Sequence, residues 1–256
     1  MFRIKPGPLR VLICLIAAAS FCLLMTNEAP AQSSFGTSQE KGCRASAIFV
    51  QGHYAFVLDG YLTDPSGTDS WLHVIDIEDD ESIEECRCLH IRQGRDVFVA
   101  GQFMYIATDA GLVKYDVSDP CDPESLDYSY GTGGIVTDLY VTGDAAYASF
   151  DPSGVLVWDI SDSLELPDVW LVPAGSPQGI HVRGSYAFVA AETLDLWIRD
   201  INTEIDYKVE GPDISEDAYN IGFTDSNVSL TYVAGSYLLI LDTTDPEDVS
   251  LVGQTN

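Results

Sequence analysis

The chain has 256 residues, with 12 Lys+Arg against 40 Asp+Glu, a formal charge of −28 and 46% hydrophobic residues. An acid excess of that size repels nucleic acid and anionic lipid headgroups, so no nucleic-acid partner is expected. The length is enough for one sizeable core or an array of repeats.

The N-terminus reads as an export signal. Arg3, Lys5 and Arg10 form a basic start, "VLICLIAAASFCLLM" (11–25) is apolar, and "APA" (29–31) places small residues before Gln32. The apolar run of 15 residues is short of the ~20 that a spanning helix needs, so a cleaved leader over 1–31 is expected rather than an anchor, with no membrane span after cleavage. Removing it takes away three basic residues and Glu28, which moves the formal charge from −28 to −30. Residues 32–44 are expected to form a flexible N-terminal segment. Cys14 and Cys22 leave with the leader, and Cys43, Cys86, Cys88 and Cys121 remain. An even count in an oxidising compartment reads as two disulfides and no free thiol.

Beyond residue 44 the chain repeats itself. Five short apolar stretches end in aspartate, "LHVID" (72–76), "LVKYD" (112–116), "VLVWD" (155–159), "LWIRD" (196–200) and "LLILD" (238–242), at intervals of 40, 43, 41 and 42 residues. Upstream, Gly52, Gly101, Gly143 and Gly184 recur, each followed four residues later by Phe56, Tyr105, Tyr147 or Phe188. The fifth copy lacks the glycine but keeps Tyr232. Each unit therefore carries a strand, a tight glycine turn, a second strand, a third strand ending in Asp, an Asx-type turn and a short fourth strand. Four strands in ~42 residues is one propeller blade. Strands apolar at nearly every position suit blades buried on both faces, whereas a sandwich would alternate more strictly.

These predictions give an all-β propeller of about five four-stranded blades, near 45–93, 94–135, 136–177, 178–218 and 219–256. The strands "LVKYD", "VLVWD" and "LLILD" with the turns "VSDP", "ISDS" and "TTDP", and the "VxGxYAFV"-type strands at 49–57 and 182–189, resemble LVIVD-repeat proteins. That is a β-propeller family of secreted and cell-surface bacterial proteins, and the resemblance covers residues 45–256. YVTN-type surface propellers have a similar strand pattern. The resemblance implies a secreted, periplasmic or cell-surface address and carries over no active site.

Four groups of residues carry candidate chemistry. In "CRCLH" (86–90), Cys86, Cys88 and His90 are spaced two apart and would share one face of a strand. With Cys121 they would suit zinc or copper; in an exported protein the same thiols are expected to form disulfides, one of them from Cys121 to Cys86 or Cys88. In the first blade's insertion (59–70), Asp59, Asp64 and Asp69 could gather around one calcium ion, although the set lacks the Asp-x-Asp-x-Asp-Gly order and no cofactor is expected. The aspartates of "DVSDP", "DISDS" and "DTTDP" are expected to hold turns. Where the innermost strands begin, Arg95, Asp96, Thr137, Asp138, Gln178, Tyr219 and Asn220 differ from blade to blade while the strands behind them stay alike. Variation at a fixed position suits a binding rim, and polar residues just before apolar strands equally suit capping and hydrogen bonds between blades.

His181 stands where other blades have Phe49, Phe98 and Tyr140, which points to packing. No Gly-x-Ser-x-Gly, His-Glu-x-x-His or P-loop motif occurs. The expected function is a non-catalytic extracellular module for a protein or glycan partner. The competing reading is a carbohydrate-active hydrolase or lyase working in the propeller funnel.

Overall fold

The computed structural model describes residues 44–60, 69–79, 82–131, 134–151, 154–172, 176–191, 195–209, 218–223, 230–235, 238–245 and 247–255. The expected leader, residues 32–43 of the N-terminal segment, Cys43 and Asp64 lie outside the described residues.

The described residues form five four-stranded sheets in which each strand lies beside its neighbour in sequence. The first holds β1 (Arg44–Gln51), β2 (Tyr54–Gly60), β3 (Asp69–Asp76) and β4 (Glu84–Arg92). The second holds β5 (Gly94–Ala100), β6 (Phe103–Thr108), β7 (Gly111–Asp116) and β8 (Glu124–Tyr130). The third holds β9 (Ile135–Thr142), β10 (Ala145–Asp151), β11 (Gly154–Asp159) and β12 (Asp168–Leu171). The fourth holds β13 (Pro177–Arg183), β14 (Tyr186–Ala191), β15 (Asp195–Asp200) and β16 (Asp206–Val209). The fifth holds β17 (Ala218–Phe223), β18 (Leu230–Gly235), β19 (Leu238–Asp242) and β20 (Ser250–Thr255). Two compact units divide these residues, Met1–Tyr105 with Tyr115–Leu126 and Ile106–Lys114 with Asp127–Asn256, and the second sheet contributes to both.

In the second unit the packing explains why the strands are apolar at nearly every position. Alternate residues of a strand point to opposite faces. Along β14, Ala187, Val189 and Ala191 enter a core with Val155, Val172, Ile180, Val182 and Trp197, whereas Phe188 and Ala190 enter another with Ile221, Val233, Leu239 and Leu241. Both faces are buried, so "YAFVAA" has no polar side to show. In the first unit, Phe56, Leu58, Leu72, Val74 and Ile91 are buried, and the sheet that carries them contacts β5. Ser70 reinforces that junction: its hydroxyl donates to the Ile91 carbonyl at 2.7 Å and accepts from the Gly94 amide at 2.8 Å.

The recurring glycines are demanded by backbone conformation rather than by space. Gly52, Gly101, Gly143 and Gly184 have φ of 60°, 62°, 57° and 61°, and a Cβ at any of them would meet nothing within 4 Å. Each opens a two-residue hairpin loop whose second residue does not have positive φ, the geometry of a type II′ turn. The strand-ending aspartates have an equally local task. Asp76, Asp116, Asp159, Asp200 and Asp242 each accept the amide of the residue two places on, Glu78, Ser118, Ser161, Asn202 and Thr244, at 2.7–2.9 Å. The amide just after the aspartate then returns to the glycine hairpin in four sheets, from Ile77, Val117, Ile160 and Ile201 to the carbonyls of His53, Gln102, Asp144 and Ser185. Glycine and aspartate, 15 or 16 residues apart in the second, third and fourth sheets and 24 in the first, thus close opposite sides of a single corner.

Candidate functional site

The starts of the innermost strands share a distortion that the sequence pattern did not reveal. In β1, Ala45 pairs with Asp59 and Ala47 with Leu58, which leaves Ser46 as an extra residue. The register shifts in the same way at Thr137 in β9, Gln178 in β13 and Tyr219 in β17. Spaced one repeat before Thr137, Arg95 occupies the corresponding place in β5. A bulge re-aims the side chains beside it and bends the strand away from the regular ladder. In two blades the extra residue also repairs the ladder it disrupts: the hydroxyls of Ser46 and Thr137 reach the carbonyls of Leu58 at 3.1 Å and Ser149 at 3.3 Å.

The rim candidates consequently divide. Asp138 is bound into the framework, since its Oδ2 accepts the amide of Ile180 in the next sheet at 2.7 Å, and Thr137 beside it reaches the carbonyl of Pro177 at 2.9 Å. Asp96 accepts the amide of Val97 at 2.8 Å, and Arg95 is half-buried beside it in the first unit. Gln178 is half-buried at its bulge, and β9, β13 and β17 are neighbours in the second unit, which brings the positions of Asp138, Gln178, Tyr219 and Asn220 side by side.

Near the opposite ends of those strands, a cleft of about 710 Å³ opens between the third and fourth sheets. Asp144, Tyr147, Trp158, Asp159, Asp168 and Asn202 are among its walls. Sequence reasoning did not single it out, because most of these are the ordinary turn and strand residues of the repeat. Two of them are already engaged. The Trp158 indole donates to the Ser129 hydroxyl at 3.1 Å, and Asp159 accepts both the amide and the hydroxyl of Ser161. The Ser161 bonds hold the Asp159 carboxyl below its ordinary range, so it stays ionised at neutral pH and does not serve as a general acid.

In the first sheet the structure corrects the expected grouping of Cys86, Cys88 and His90. Strands β3 and β4 pair Val74 with Arg87 and then Ile75 with Glu85, so Cys86 is the extra residue of a bulge. Cys86 leaves that face and joins Cys121 in a disulfide. Cys88 stays opposite His73, exposed and outside any bridge among the described residues, while Cys43, the other cysteine left for the expected second disulfide, lies outside them. Past the bulge, Glu85 comes onto the face that simple alternation assigns to Cys86. His73 Nδ1 lies 2.9 Å from Glu85 Oε2, and its Nε2 lies 3.7 Å from Asp59 Oδ2. Hydrogen bonding to Asp59, followed by Glu85, raises the His73 pKa despite burial.

Of the candidate calcium ligands, Asp59 also accepts the Trp71 amide at 2.6 Å, and Asp69 pairs with His90 at 2.8 Å. The ring of His90 stands edge-on to Trp71. His181 stacks on Tyr140 with ring centroids 4.1 Å apart, as Phe49 stacks on Phe98 at 4.5 Å. Desolvation pushes the His181 pKa down to about 4. It is therefore a neutral packing ring at neutral pH.

Comparison with known proteins agrees with this architecture. The LVIVD repeat matches residues 91–132 and 174–203. No curated protein sequence matches the chain significantly. Among solved structures, similarity extends to a chain of the crystal structure of the mitotic checkpoint complex, with TM-score 0.68 and 11% identity over 84% of this chain and 68% of that one. It extends likewise to the Cps50 (Swd1) β-propeller domain of Myceliophteria thermophila, with TM-score 0.63 and 12% identity over 85% and 73%. The computationally designed Ika8 protein gives TM-score 0.59 and 11% identity over 83% of this chain and 61% of that one, so the chain spans about three fifths of its length. At such identities the likeness shows the β-propeller fold alone. Among the described residues no helix is long and apolar enough to cross a membrane.

Proposed function

We propose that this LVIVD-repeat propeller is an exported, non-catalytic interaction module that holds a protein or glycan partner at the bulged starts of its innermost strands. The observation that carries this reading is the recurrent bulge, which in the second unit sets Thr137, Gln178 and Tyr219 at equivalent places on the neighbouring strands β9, β13 and β17 while the residue changes from blade to blade. A regular scaffold that presents unlike side chains at equivalent places is suited to recognising an irregular surface. The Cys86–Cys121 disulfide suits an oxidising compartment, and the acid excess favours a partner that is neutral or basic.

A hydrolase or lyase acting on carbohydrate is the second reading, and the acid- and aromatic-lined cleft beside Trp158 is what favours it. A glycan array combined with a turnover screen on the secreted chain separates the two: binding without cleavage supports the module, and cleavage supports the enzyme. Once a partner is in hand, replacing Gln178 and Tyr219 together by Ala is expected to weaken binding by at least about tenfold, ~1.4 kcal/mol, with the melting temperature unchanged. Arg95→Ala tests the first unit separately. Binding that survives all three substitutions and disappears on changing residues 59–70 places the site on that loop instead.

A further inference from the structure

We propose that His73, Glu85 and Cys88 form a binding site for a divalent transition metal of the zinc class on one face of the first sheet, with Asp59 fixing the imidazole from behind. One ligand atom from each of the three lies within 4.8 Å of the other two, close enough for a single ion to gather them by small side-chain rotations. They converge because of the backbone. His73 and Cys88 are directly opposed on β3 and β4, and the bulge at Cys86 delivers Glu85 to the same face. Without that extra residue Glu85 would point away, and the thiol and the imidazole would have no carboxylate between them.

The imidazole is oriented as a ligand would be. Its Nδ1 edge faces Glu85 at 2.9 Å, while its Nε2 edge faces the carboxylate of Asp59 at 3.7 Å. A metal-bound histidine commonly donates its other ring N–H to a carboxylate, which sets the tautomer and the ring plane. Asp59 is itself held, because its other oxygen accepts the Trp71 amide at 2.6 Å. A salt bridge between His73 and the two acids accounts for three of these groups, but it does not engage the Cys88 thiol facing them, which forms no bridge among the described residues.

The donor set selects the ion. Thiolate and imidazole favour borderline or soft metals, and a single carboxylate beside them is common at zinc; calcium and magnesium want oxygen ligands throughout. Three protein ligands leave one tetrahedral position for water or an incoming group. The metal replaces the thiol proton of Cys88 and any proton on His73 Nδ1, and both are released to solvent.

The test uses the full chain, exported through its own leader and purified without chelator. Titration with cobalt(II) under excess calcium is expected to give a thiolate-to-cobalt charge-transfer band and the visible bands of four-coordinate cobalt, both removed by zinc. Zinc is also expected to slow alkylation of Cys88 by iodoacetamide. Cys88→Ser should abolish the charge-transfer band, His73→Asn and Glu85→Gln should each weaken zinc binding at least tenfold, and Asp59→Asn should weaken it by about 10–100-fold. Each variant is first checked for an unchanged circular dichroism spectrum. Should any of them fail to fold, protection of Cys88 in the unaltered chain decides the matter. Three results overturn the proposal: cobalt binding without a charge-transfer band, Cys88 alkylation at the same rate with and without zinc, or Cys88 found in a disulfide in the exported protein.

Discussion

Asp138 offers the most direct measurement of what joins one blade to the next. Its Oδ2 accepts the amide of Ile180, 42 residues away, at 2.7 Å, and Ile180 itself is only 3% exposed. Asp138→Ala removes a charge-assisted acceptor and leaves that amide without its carboxylate partner, a loss of about 1.5–3 kcal/mol. For a folded chain of this size each kcal/mol moves the melting temperature by about 2–4 °C, so the variant should melt roughly 3–12 °C lower. Asp138→Asn keeps a side-chain oxygen in place and should recover part of the loss. The assay is thermal unfolding followed by circular dichroism, with urea unfolding as an independent measure. If Asp138→Ala melts with the unaltered protein, the Asp138–Ile180 bond does not hold the blades together and the division of the rim into framework and binding positions fails.

Reducing the Cys86–Cys121 disulfide opens a loop with a sequence separation of 35 residues, and the entropy returned to the unfolded chain should cost about 3–4 kcal/mol. Melting with and without reductant, compared with Cys121→Ser, measures this; equal stability in both would show that the bridge stores nothing. His181 should make the fold acid-sensitive. Its folded pKa of about 4 lies below the ordinary 6.5, so the unfolded chain binds the proton more readily and stability falls as pH drops from 6.5 toward 4. His181→Tyr, the residue that the neighbouring sheet carries at Tyr140, should remove this part of the acid limb in a pH series of urea unfolding curves. An unchanged limb would mean that other groups produce it.

The sequence by itself determined what depends on short-range chemistry. A positive-φ glycine at the head of a two-residue loop, an aspartate that caps the next turn, and apolar strands between them recur every ~42 residues, and each can be read locally because its partners lie within a few positions. The blade count and the packing role of His181 followed from that repetition. Tertiary structure alone decided the rest. The bulge at Cys86 shifts the face of every residue beyond it, so Glu85 rather than Cys86 meets Cys88 and His73; strict alternation of a strand cannot foresee one inserted residue. For Asp138 the sequence left two roles open, a binding rim or a hydrogen bond between blades, and the Ile180 amide of the next sheet is its partner. The cleft beside Trp158 was likewise hidden, because residues that close turns within their own blades gain a shared surface only when two blades stand side by side.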